Sequence, residues 1–127
     1  MSKLKINSKP DNGKSPIRTF LIDMNIAFAE GNLKFIAENI SESIHWNIVG
    51  GERAEGKTAF IQLFESMKSN SVAELIFDNI ITHGKEAAVS GSIIMNDGKK
   101  YSFADIYVFE STGKTIIKSI TSYIINI

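Results

Sequence analysis

The 127-residue chain contains no cysteine. That excludes disulfides, thiolate metal sites and a cysteine nucleophile, and it fits a reducing cytoplasm. Histidine is nearly absent: His45 and His83 are far apart and lack a paired carboxylate motif, so no metal site and no cofactor is inferred. The only arginines are Arg18 and Arg53. An excess charge of either sign is missing too, because fourteen basic and fourteen acidic residues cancel. Without a basic stripe the chain carries no electrostatic footprint for nucleic acid or an anionic membrane surface. No apolar run is long enough to span a bilayer. The opening stretch from Met1 to Ser15, with Lys3, Lys5, Lys9 and Lys14, has no continuous apolar segment and does not read as a secretory signal. Gly50, Gly51 and Gly56 lead into Lys57-Thr58 but lack the spacing of a phosphate loop. They read instead as a flexible lip at a cavity mouth.

What remains is ordinary for one globular domain with a single core: 43% hydrophobic and 22% charged residues. Residues 1–15, with Pro10, Asp11, Asn12 and Gly13, read as a flexible tail, and residues 16–127 as the domain. Ser15 and Pro16 predict a helix start, and Ile17, Phe20, Leu21, Met24 and Phe28 recur at helical spacing up to Gly31. Asn32 is placed to cap a shorter helix with Leu33, Ile36, Ala37 and Ile40 on its buried side. Ser43 to Val49 reads as a strand, and Lys57 to Lys68 as a third helix burying Phe60, Leu63, Phe64 and Met67. Ser69-Asn70-Ser71 breaks it. From Val72 onward the period drops to two. Strands are expected over Val72 to Thr82, Glu86 to Met95, Lys99 to Glu110 and Thr115 to Ile125, joined as an antiparallel meander, with Asn96-Asp97-Gly98 a strong turn signal. Helices ahead of a meander make an α+β domain whose helices cover one sheet face.

One acid stands out. In the run from Tyr101 to Phe109, strand alternation puts Tyr101, Phe103, Asp105, Tyr107 and Phe109 on one face. A carboxylate amid aromatics must be paired, protonated or lining a wet cavity. Val89, Gly91, Ile93, Met95, Ala104, Ile106 and Val108 are assigned to the opposite, uncovered face. Such a face suits association, so a two-fold homodimer packed sheet on sheet is expected.

This element order, with Gly56-Lys57 opening the third helix and the ending Asp105-Ile-Tyr-Val-Phe-Glu…Gly-Lys…Thr121-Ser122-Tyr123, resembles the nuclear transport factor 2-like (NTF2-like) superfamily. It looks closest to the bacterial SnoaL-like, polyketide-cyclase-like branch, and the resemblance runs from Pro16 to Ile127. It implies a cone: a curved, mainly antiparallel sheet wrapped around three helices of the N-terminal half, with an apolar cavity at the open end. Family members include isomerases, cyclases, epoxide hydrolases, dehydratases and noncatalytic domains, so the fold alone does not choose an activity. Matched to the ketosteroid-isomerase-like members, Asp105 falls on the protonated oxyanion-hole acid. The general-base position falls on Asn47 and the oxyanion-hole tyrosine position on Met24. An amide abstracts no proton and a thioether donates no strong hydrogen bond, so two of three roles are missing.

Asp105 is thus the candidate catalytic or anchoring acid, with two readings open. Apolar surroundings raise its pKa and make it a donor near neutrality. Alternatively Lys118, on the adjacent strand, points inward and keeps it ionised as an ion pair; its facing depends on whether the loop from Ser111 to Lys114 contains a bulge. At the first strand, amphipathic logic turns Trp46 inward, whereas the family match turns Asn47 inward; the larger gain from burying an indole favours Trp46. The candidate ligand contacts are Trp46, Asn47, Met24, Phe28, Phe64, Phe103, Tyr107 and Lys118. The leading expectation is a cytoplasmic dimer whose pocket takes a small apolar or aromatic ligand with one polar group. A cofactor-free proton-transfer enzyme, with His45 or Tyr107 as helper, is the second. A dimerisation module with a filled cavity is the third.

Overall fold

A computed structural model describes residues 4–8, 15–68 and 71–127. In chain order the elements are β1 (Lys5–Ser8), α1 (Pro16–Glu30), α2 (Leu33–Glu38), β2 (Ile40–Ile48), β3 (Arg53–Glu55), α3 (Lys57–Met67), β4 (Val72–His83), β5 (Glu86–Met95), β6 (Lys100–Phe109) and β7 (Ile117–Asn126). The helix signals act as written in the sequence. The Ser15 hydroxyl accepts from the Arg18 N–H, Pro16 fills the first turn, and Gly31 ends α1 at φ 72° while its N–H returns to the last-turn carbonyls. Asn32 accepts from the Phe35 N–H and starts α2. Helix α1 buries Phe20, Leu21, Met24 and Ala27, and α3 buries Phe60 and Phe64.

Among the described residues seven strands form one sheet in the order β1-β4-β5-β6-β7-β2-β3. The meander of β4 to β7 is antiparallel throughout, as the short connections require. Strand β2 joins it parallel to β7, which makes the sheet mixed, and β3 folds back on β2. The result is the curved α+β cone. Two short strands are additions to the sequence reading. Strand β3 lies within the expected loop, and β1 lies within the expected tail, paired in parallel with β4 from Lys5↔Glu74 to Ser8↔Phe77. Runs of three and four residues are too short to display alternation. The rest of that tail, residues 1–3 and 9–14, and Ser69-Asn70 of the expected helix break lie outside the described residues.

The sheet faces differ from the expectation. Val89 pairs with Asp105, Gly91 with Phe103 and Ile93 with Tyr101, so these β5 residues share the inner face with the acid instead of backing it. A two-residue hairpin would have opposed odd and even positions. The turn keeps the expected three residues, with Met95 receiving the Gly98 N–H and donating to Lys99, and that length opposes odd to odd positions, which the face assignment did not carry through. The outer face therefore carries Ile81, Ala88, Ser90, Ala104, Ile106, Val108, Thr121, Tyr123 and Ile125.

Curvature has an identifiable seat. The β4–β5 register shifts between Phe77 and Asn79, opposite Gly91 and Ser90. A Cβ on Gly91 would overlap the Ile76 carbonyl oxygen, so only glycine lets the two backbones close this far.

Candidate functional site

The inner faces of β4 to β7, β2 and the helices enclose a cavity of about 460 Å³. Helix α1 supplies Asn25, Phe28 and Ala29, α3 supplies Phe64 and Met67, and Lys68 stands just beyond its end. The strands supply Trp46, Val72, Leu75, Ile93, Met95, Tyr101, Phe103, Asp105, Tyr107, Ile120, Ser122 and Ile124. One wall is aromatic. The Phe28 ring lies 5.5 Å from Trp46 and 5.4 Å from Phe64, both edge to face, and Trp46 lies 4.8 Å from Phe60.

Among the described residues Asp105 is the only carboxylate in this lining. Its neighbours are fixed by the register: Ser122 lies directly opposite it on β7, and Tyr107 is the next inward residue on β6. Both hydroxyls hydrogen-bond to its carboxylate. Each is itself oriented from behind. The Trp46 indole N–H donates to Ser122 Oγ at 3.1 Å, and the Asn25 amide donates to the Tyr107 hydroxyl at 3.3 Å while also holding the Leu21 carbonyl at 2.9 Å. Since an indole only donates, Ser122 must accept from it and turn its own proton to Asp105; the Asn25 amide does the same for Tyr107. Trp46–Ser122–Asp105–Tyr107–Asn25 is thus a continuous chain with the acid as its sink.

Burial raises the Asp105 pKa from 3.8 to about 6, against the opposing pull of the Ser122 and Tyr107 hydrogen bonds. Burial and the nearby Asp105 charge push the Tyr107 phenol well above its ordinary value, so it remains a donor at any physiological pH. An acid at about 6 changes state close to neutrality, which suits it to anchor a polar group or to exchange a proton.

Of the expected contacts, Trp46, Phe28, Phe64, Phe103 and Tyr107 line the cavity with Asp105. Three do not. Asn47 points to the opposite face of β2 from Trp46, where it pairs with Thr121 and Arg53, because the indole takes the inward position. Met24 is fully buried in the core under α1, one position short of the cavity-facing Asn25. Lys118 is the extra residue of a bulge: Val108 pairs with Ser119 and Phe109 with Ile117, so Ile117 takes the inward place and Lys118 is exposed. It therefore provides no counter-charge to Asp105. His45 is likewise exposed, 3.5 Å from Glu55 on the outer side, and His83 is exposed at the end of β4.

Asn25 and Ser122 were missed, although each leaves a trace. Asn25 is the one amide on the inward stripe running from Leu21 to Phe28, and Ser122 interrupts an inward row of Ile120 and Ile124.

No family model matches the chain, and no curated protein matches it. Solved structures do. An NTF2-like protein of unknown function from Cytophaga hutchinsonii is 28% identical, with 86% of this chain and 99% of that one covered at a TM-score of 0.67. A candidate SnoaL-like polyketide cyclase from Shewanella denitrificans superposes at a TM-score of 0.71 over 88% of this chain and 92% of its own, at 8% identity. A candidate ketosteroid isomerase from Kribbella flavida gives 0.69 over 86% and 77%, at 13% identity. With the same helix-backed curved sheet, and 28% identity over nearly the whole of one such protein, the chain belongs to the NTF2-like superfamily.

Proposed function

We propose that the cone is a small-molecule binding site in which Asp105 anchors the polar group of a mostly apolar ligand. The observation that carries this reading is the donor chain that converges on one carboxylate inside an apolar hollow of about 460 Å³, a size within the range of ligand pockets. A cavity of that size argues against a purely structural module with a filled interior. Proton-transfer chemistry is the second reading, favoured by an acid at about 6. It is the weaker one, because His45 lies outside and Tyr107 is held as a donor, so neither serves as the second acid–base group. The test is a thermal-shift screen of hydrophobic carbonyl compounds, phenols and amines against the wild-type chain and Asp105→Asn. Stabilisation of the wild type that weakens in the variant is expected. No shift with any compound would overturn the reading.

We further infer that the outer sheet face pairs two copies of the chain. The support is a contiguous patch in which Ile81, Ile106, Tyr123 and Ile125 are 44–65% exposed across neighbouring strands. We assign this dimer to the cytoplasm, on the absence of cysteine. Among the described residues no helix is long and apolar enough to cross a membrane.

A further inference from the structure

We propose that the ligand of this cavity is an organic cation, an ammonium group on an apolar aromatic body, with Asp105 as its counter-ion. This rests on the binding-site reading above and narrows it.

Ser122 and Tyr107 each spend their proton on Asp105, since Trp46 and Asn25 already donate to them. The hydrogen-bond chain from Trp46 to Asn25 therefore has no donor left for a ligand carbonyl at Asp105. A carboxylate offers about four acceptor positions, and the two hydroxyls fill two, so what faces the cavity is acceptor capacity. A ligand that donates fits this arrangement; one that only accepts does not.

Burial and the two hydroxyls set the state of Asp105, and among the described residues no basic side chain contributes to it. Among the described residues that line the cavity, the titratable groups are Asp105, Tyr101, Tyr107 and Lys68. Lys68 is the one cation. It stands exposed past the end of α3, with its ammonium 2.9 Å from Glu65. Asn25 on α1, Trp46 on β2, Val89 on β5 and Ser122 on β7 face the acid without charge. A buried carboxylate without a counter-charge is costly, and a ligand cation offsets that cost where a neutral donor offsets only part of it. The aromatic wall of Trp46, Phe28, Phe64 and Phe103 adds ring faces that attract cations and repel anions.

The probes are tryptamine, tryptophol and indoleacetate, which share one ring system and carry an ammonium, a hydroxyl and a carboxylate. Binding is measured by calorimetry at about pH 5 and about pH 7.5. Tryptamine is expected to bind roughly tenfold tighter than tryptophol at the higher pH, with indoleacetate weakest. Its affinity should fall about tenfold toward pH 5 as Asp105 takes up its proton, and tryptophol should change little. In Asp105→Asn the tryptamine affinity should drop to that of tryptophol. The pH series uses only the wild-type chain, so it decides the matter even if the variant folds poorly. Tryptophol or indoleacetate binding as tightly as tryptamine, or a flat tryptamine profile, would overturn the cation assignment and leave the binding site standing. No binding by any of the three would overturn both.

Discussion

At Asp105 burial and hydrogen bonding pull in opposite directions, and burial wins: the carboxyl titrates at about 6 in place of 3.8. The sign of the consequence follows from linkage. A carboxyl whose folded pKa is raised binds more protons folded than unfolded between those two values. Its contribution to stability is therefore best below about pH 4 and is lost as pH rises through about 6. The shift corresponds to roughly 3 kcal/mol against the folded state at neutral pH. Asp105→Asn should then stabilise the chain at about pH 7 by up to that amount and flatten the pH dependence between 4 and 6, as measured by urea unfolding at several pH values. A variant less stable than the wild type at neutral pH would contradict this. The acid itself was legible in the sequence, because period-two alternation sets it among four aromatic residues. Its partners were not. Ser122 and Asn25 lie far away in sequence and meet Asp105 and Tyr107 only through the β6–β7 register and the packing of α1. Lys118 was misplaced because a single bulge residue decides which side a strand side chain takes.

Among the elements, the starts of α1 and α2 and the end of α1 were readable to the residue, since Ser15, Pro16, Gly31 and Asn32 are local signals that act where they stand; α2 stops at Glu38, so Ile40, expected on its buried side, opens β2 instead. The strand faces were less readable. The three-residue connection after Met95 puts Val89, Gly91 and Ile93 on the side of the acid; the turn was legible, but each strand was assigned its faces separately and not through the register that turn imposes. Gly91 shows how one position shapes an element. Its hydrogen faces the Ile76 carbonyl at the bulge that bends β4 over the cavity. Gly91→Ala should cost roughly 3 kcal/mol by urea unfolding, because backbone must shift to admit the methyl group. Gly98→Ala is the contrast. Nothing lies within 4 Å of a Cβ there, and only its φ of 91° opposes the change, at a cost of about 1 kcal/mol. Equal losses at the two sites would contradict the close approach of β4 and β5.

For the whole molecule, fold and function part company. Helices ahead of an antiparallel meander define the cone, and comparison with solved structures bears that out. The cone hosts many activities, so the occupant must be argued from Asp105 and the groups around it. The sheet's outer face makes a separate claim. Sedimentation should find a dimer, and Ile106→Lys, a change at a residue 45% exposed, should shift it to monomer without loss of the folded signal. A monomeric wild-type chain would contradict the paired-sheet arrangement. The central claim is that the folded chain encloses a carboxyl whose proton is held by an apolar hollow. It is tested most directly by the carbon NMR signal of the Asp105 carboxyl, assigned by its loss in Asp105→Asn and followed through a pH titration. A midpoint at about 6 is expected; a midpoint near the ordinary aspartate value of about 4 would mean that water reaches this group freely, and the account of the site would be wrong.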